Sequence, residues 1–334
     1  MQRFKLISAA LVLILTVPVA AQEEKKPEAA AGDGIELAWK FEKGKTFYQT
    51  LKTKTSQTMN IMSQPVKQDQ EQEFVFSWTV KDVSDAGVVL EQKIESVNMS
   101  IKIGTNEVRY NSTARDAADN PLSTFFKPLI GSSFTLTLDP KTLKVTKVEG
   151  REEFVKKVTE ANPQMAGLLR VILSEDQLKQ MSEPAFAVVK GPGEKVKPKD
   201  SWTRESKLSM GPIGSYDTKY TYTYVGPEER TLADGKKVTL QKIELKTELS
   251  YKPPDPKEAT GLPFRIDSGS LKTTEASGTI YFDTEKGRVA ESTMKVAIDG
   301  KLNISVAEQK AEVDIKQEQT TTSTTSDTNP TAGR

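Results

Sequence analysis

The 334-residue sequence contains no cysteine and no histidine. Without cysteine the fold has neither disulfides nor thiolate metal sites, so packing has to stabilise it. Without histidine it lacks the usual partner of a catalytic nucleophile and the commonest metal ligand, which excludes Ser-His-Asp and Cys-His hydrolysis. Neither sign of charge is in excess, with 47 Lys and Arg against 46 Asp and Glu. That interspersed balance gives no electrostatic footprint for nucleic acid or an anionic membrane. Long apolar runs are missing too: Leu6–Val17 is shorter than the roughly 20 residues that cross a bilayer, and no later run is that long.

The same short run has a different meaning at the start of a chain. Arg3 and Lys5 precede it and Val19-Ala20-Ala21 follow, which fits residues 1–21 as a secretory signal cut before Gln22. No cysteine follows the run, so a lipid anchor is excluded, and the expected location is periplasmic or extracellular. Residues 22–34, rich in Glu, Lys, Ala and Pro, read as a disordered leader. From Gln317 the chain turns Thr/Ser-rich and reads as a frayed tail over 317–334.

What lies between is patterned for strands. Phe74, Phe76, Trp78 and Val80 alternate with smaller residues, and a turn over Asp82–Gly87 leads into Val88–Glu95. Later, Tyr220, Tyr222 and Tyr224 alternate in the same way before Val238–Glu244. Period-2 alternation of aromatic and β-branched residues marks half-buried strands, here paired as long hairpins. Both copies shift parity within their second strand, which predicts a β-bulge or a crossing of sheet layers. A second match supports duplication: Thr135, Asp139, Lys144 and Val145 find Thr279, Asp283, Arg288 and Val289 at one constant offset. The predicted fold is mainly β with some helix (α+β): long, bent antiparallel sheets, half-barrel-like, with one half over 35–150 and the other over 190–316.

Helical periods appear in two places. Asn120 is a candidate N-cap before Pro121, and Leu122, Phe125, Phe126, Leu129 and Ile130 share a helical face, although Pro128 shortens it. Residues 151–189 form a helical insert between the halves: Phe154, Val155 and Val158 lie on one helix, Leu168, Leu169, Ile172 and Leu173 on another. Ser174 caps a third with Leu178 and Met181 inward.

Candidate chemistry is sparse. Ser292-Thr293-Met294-Lys295 has the Ser-x-x-Lys spacing, but its surroundings alternate as a strand, where i and i+3 point to opposite faces. Paired acids such as Glu152-Glu153 and Glu175-Asp176 sit in first turns of helices, where they favour the dipole. Asp139 and Asp283 open turns and lack the oxygen-rich spacing of a calcium loop. No cofactor motif is present, and no metal or catalytic site is expected. The remaining candidate is an apolar groove between sheet and helices, around Phe125, Phe126, Leu129, Leu168, Leu169 and Ile172.

The opening Trp39-Lys40-Phe41-Glu42-Lys43-Gly44, the hairpin Phe134–Gly150, the segment Gly211–Tyr216 and Asp327-Thr328-Asn329-Pro330 resemble a family of uncharacterised exported proteins of planctomycete-type bacteria, a domain of unknown function. That resemblance covers nearly the whole mature chain and implies no activity. More loosely, the architecture looks like the half-barrels of periplasmic lipoprotein and lipid carriers. The expectation is a non-enzymatic exported envelope protein with a binding or structural role and an unknown envelope partner. The alternative is a carrier of a lipid-like apolar ligand.

Overall fold

The computed structural model describes residues 34–61, 64–115, 119–163, 166–232, 235–255, 264–306 and 309–332. The signal-like start, nearly all of the leader and the loop Pro256–Gly261 lie outside the described residues. The first half contains β1 (Ile35–Glu36), β2 (Thr46–Ile61), β3 (Gln64–Ser84), β4 (Gly87–Ile103), β5 (Asn106–Asn111), α1 (Pro121–Phe126), β6 (Ser133–Leu138) and β7 (Val145–Glu149). The insert supplies α2 (Arg151–Ala161), α3 (Ala166–Ile172) and α4 (Glu175–Phe186). The second half contains β8 (Lys195–Val196), β9 (Ser201–Ser209), β10 (Ser215–Thr231), β11 (Lys237–Lys252), β12 (Arg265–Asp283), β13 (Arg288–Val306) and β14 (Gln309–Ser326).

Apart from the small β1–β8 pair, the strands form one antiparallel sheet in the order β7-β6-β4-β3-β2-β14-β13-β12-β11-β10-β9, with β5 added beside β4. It is not closed into a barrel, since β7 and β9 end the path without pairing. Two five-stranded halves run through it in the same sense, β7-β6-β4-β3-β2 and β13-β12-β11-β10-β9, and β14 joins β2 to β13.

The duplication extends to backbone detail. Val80 bonds to the preceding turn through Gly44 N–H (2.8 Å) and Lys45 C=O (2.9 Å), and Tyr224 does so through Lys199 N–H (2.8 Å) and Asp200 C=O (2.9 Å). Gly44 and Lys199 both have positive φ, 82° and 78°. Glycine takes that conformation freely, and Lys199 keeps it because its N–H is engaged. Phe47 stacks on Trp78 at 6.3 Å, and Trp202 on Tyr222 at 5.7 Å. Bulges fall at Lys81 and Val225, and again at Thr146 and Ala290, each pair at the offset of the sequence match. The Asp139 carboxylate accepts from the N–H groups of Lys141 and Thr142, and Asp283 from those of Glu285 and Lys286.

Parity shifts are where the bulges were expected, with one adjustment. In the first copy Glu95 is skipped in the pairing of β4. In the second the extra residue, Val225, lies in the partner strand. A larger correction concerns the chain end: Gln317–Ser326, expected to fray, is the second half of β14 at the middle of the sheet. Threonine is β-branched and suits a strand, and Gln317, Gln319, Thr321 and Ser323 point inward and are buried.

The helices follow their local signals, except that Met181 of α4, expected inward beside Leu178, is exposed because it lies off the helix face that packs on the sheet. Asn120 caps α1 through a capping box with Ser123, and Pro128 turns the chain into a 3-10 turn at Lys127–Leu129. Pro cannot supply the N–H that an α-helix needs there. Inside the curled sheet a core joins both halves, with Trp78, Leu90 and Leu136 from one and Tyr222, Ile243 and Ile280 from the other, together with Leu178 and Phe186 of α4. A second cluster, including Met59, Ile304 and Val313, fills the far ends of β2, β13 and β14.

Between these two clusters stands a neutral polar lattice. Three rows cross β14, β2 and β3 on the inward face: Gln317–Gln57–Gln68, Gln319–Thr55–Gln70 and Thr321–Thr53–Gln72. All nine side chains are buried. Thr53 and Thr321 hydroxyls lie 3.2 Å apart, Thr55 donates to Gln319 at 3.4 Å and Gln70 to Gln72 at 3.2 Å. Both amide atoms of Gln68 are buried without a partner among the described residues.

Candidate functional site

A small, partly open space of about 70 Å³ lies inside the sheet beneath the C-terminal end of α4. The β2–β3 register sets Phe47 directly opposite Trp78, so their rings stack and form one wall. Phe186 crosses the Trp78 ring edge-on at 5.8 Å and lies 5.4 Å from Trp39. Trp39 is itself fixed, because its indole N–H donates to the Phe186 carbonyl at 3.1 Å. Ile280 and Val289 complete the apolar lining.

Polar groups meet this aromatic box on one side. Gln49 accepts from the Trp78 indole at 3.2 Å and donates to Ser323 at 3.0 Å, which locks its amide orientation. Ser292 and Thr325 also line the space, and the Thr325 hydroxyl donates to the Val289 carbonyl at 2.7 Å. Arg288 stands at the rim with its guanidinium 5.3 Å from the Phe47 ring centre, a cation–π distance, and pairs with Asp327. Burial pushes the Asp327 carboxyl up, but its bonds to Lys286 and Arg288 outweigh this and hold it below the usual carboxylate range.

The chemistry this arrangement supports is sorption of an apolar group next to hydrogen-bonding atoms. A water needs roughly 10–15 Å³ on this measure, so the resting space has room for a few waters or a short alkyl group. Drug-sized ligands occupy clefts of about 300–1,000 Å³. A Ser292–Lys295 pair cannot form, because Ser292 faces Ile280 inside β13 while Lys295 pairs with Ser277 on the outward face.

The groove expected from sequence has a different setting. Phe126, Leu129 and Leu169, with Phe125 and Ile172 at the margin, pack against Phe74, Val97 and Met99 of the sheet and Phe154 and Val158 of α2. Leu168 is buried on α3. None of these six lines the aromatic space. Its own residues were visible in the sequence only as strand aromatics, and Phe186 carried no signal beyond its helix.

The outward side of β2, β3 and β13–β14 is charged, with ion pairs Lys52–Glu73 and Lys54–Glu71 at 2.8 Å and Lys301–Glu312 at 2.6 Å. A wall in contact with hydrocarbon carries an apolar outward band, so this one faces water. No helix among the described residues is long and apolar enough to cross a membrane.

A family of unknown function, DUF6263, matches residues 85–289, from the β3–β4 turn into β13. The chain belongs to this family. The DUF6263 match thus takes in β4 to β7, the helical insert and the strands from β8 to β12, while β2, β3, most of β13 and β14 lie outside it. No curated protein matches. Among solved structures, lipovitellin is similar over 84% of this chain and 25% of its own, at 9% identity and a TM-score of 0.37. An outer membrane channel from Pseudomonas putida F1 covers 90% of this chain and 100% of its own, at 6% identity and a TM-score of 0.19. A DUF1329 family protein from Desulfovibrio piger ATCC 29098 covers 82% and 84%, at 9% identity and a TM-score of 0.14. This DUF6263 chain spans a quarter of the lipovitellin chain, and at such scores none of these likenesses bears on its function.

Proposed function

We propose that this protein is a non-catalytic binding protein of the cell envelope that takes an apolar chain with a hydrogen-bonding head into the space beneath α4. One observation carries the reading: four aromatic rings, Trp39, Phe47, Trp78 and Phe186, converge on one small space that Gln49, Ser292 and Ser323 also line. An apolar pocket with a few placed polar groups is the usual form of a small-molecule site. Export is supported by the signal-like residues 1–21, and the absence of catalysis by a chain without His or Cys.

Native mass spectrometry of the protein purified from its own host, followed by organic extraction, tests the reading. A co-purified amphiphile of discrete mass is the expected result. A bare chain that also gains no adduct from added decanoate would remove it.

A further inference from the structure

The two seams between the halves are built differently. On one side β14 fills the gap between β2 and β13 and is hydrogen-bonded to both along its length. On the other side the equivalent strands, β9 and β7, make no ladder with each other, and the element packed on both is α4. A helix therefore stands in the place a strand takes at the opposite seam.

Side chains do there what a ladder does elsewhere. The Gln177 amide oxygen accepts from the Ser209 N–H of β9 at 3.1 Å. Arg204 of β9 donates to the Val189 carbonyl at 3.1 Å just beyond the helix. A few side-chain bonds of this kind open far more readily than two continuous backbone ladders. Pro184 lies within α4 and cannot donate to the Gln180 carbonyl, which weakens the last turn. After the helix come Gly191 and Gly193, the latter with φ 77°, a conformation that glycine takes freely. Ala185, Phe186 and Val188 form part of the wall of the aromatic space, so any displacement of α4 enlarges it.

We propose that α4 is a gate: an amphiphile reaches the aromatic space by passing between β7 and β9 as α4 swings outward, and the helix closes over it. This rests on the binding reading above and supplies what it requires, since the resting space is too small for a long chain. The gate also explains why the halves are held by a strand at one seam and a helix at the other.

The test combines hydrogen exchange with a staple. In the full-length protein without ligand, amides of α4 and that of Ser209 are expected to exchange by local opening while β14 amides remain protected. Equal protection of α4 and β14 would overturn the gate even if ligand binds. In the second measurement, Gln177→Cys and Ser209→Cys, the only cysteines in the chain, are joined by a bis-maleimide. Decanoate association is then followed by stopped-flow tryptophan fluorescence. Stapling is expected to slow association at least about tenfold relative to the unstapled double variant, which should bind at least as fast as wild type, because binding through a required opening lowers the on-rate. Equal rates for stapled and unstapled protein would overturn the gate and leave the binding site intact. Absence of any decanoate signal in wild type would instead remove the binding reading, and the gate with it.

Discussion

The Trp39 indole donates a 3.1 Å hydrogen bond to the Phe186 carbonyl, and the two rings pack at 5.4 Å, which ties the segment between β1 and β2 to the end of α4. Trp39→Phe keeps most of the ring but strands the carbonyl. Stability is expected to fall by about 1–2 kcal/mol, since an abandoned buried acceptor loses more than the net value of one bond. Urea unfolding followed by circular dichroism measures this. The same variant should exchange faster at the amides of α4 than at those of β14.

Phe186 is 2% exposed and touches Trp39, Phe41 and Trp78. Phe186→Ala should cost about 3–5 kcal/mol, the usual loss for truncating a buried phenylalanine. Added decanoate is expected to recover part of the loss by filling the enlarged space, read as a higher melting temperature in calorimetry. A variant that melts at the same temperature with and without decanoate would count against an apolar site here.

Gln68 has two buried amide atoms without partners, and its pair residues across the sheet are Gln57 and Ile103. Gln68→Met keeps the length and removes the unmet polar atoms, so stability should rise by about 1 kcal/mol. Denaturant midpoints of the two proteins decide it. A loss of stability would mean that the polar lattice depends on the Gln68 amide.

Alkaline pH should unfold the protein through its inward tyrosines. Burial pushes the phenols of Tyr216, Tyr220 and Tyr222 upward, and burial together with the Glu228 carboxylate raises Tyr281 to about 12 from 10.0. Folded protein thus holds protons that the unfolded chain releases above pH 10, and the state that binds more protons loses ground as pH rises. The contribution of these tyrosines is expected to be level below pH 10 and stability to decline above it. Absorbance at 295 nm, compared with the unfolding midpoint at each pH, should show phenolate appearing only as the sheet opens.

How much of this was legible in the sequence depended on range. The turns at Asp139 and Asp283 and the Asn120–Pro121 cap were readable because their bonds close within a few residues. The duplicated hairpins were readable because alternation is local. β14 was missed because a Thr/Ser run looks the same in a tail and in a strand until its partners β2 and β13 are known. The aromatic space was out of reach for a similar reason: Trp39, Phe47, Trp78 and Phe186 meet only once the sheet has curled and α4 has crossed its open seam. The apolar face of Phe125, Phe126 and Leu129 was evident, whereas its being filled by Phe74 and Phe154 was not.

The central claim is that an apolar chain sits among Trp39, Phe47, Trp78 and Phe186. A crystal of the full-length protein grown with 10-bromodecanoate tests it directly, because the bromine's anomalous signal marks the chain end without an assumed pose. The predicted result is a bromine peak enclosed by those four rings, with the carboxylate toward Ser292 and Ser323. A peak elsewhere, or an unaltered aromatic space at saturating ligand, would contradict it.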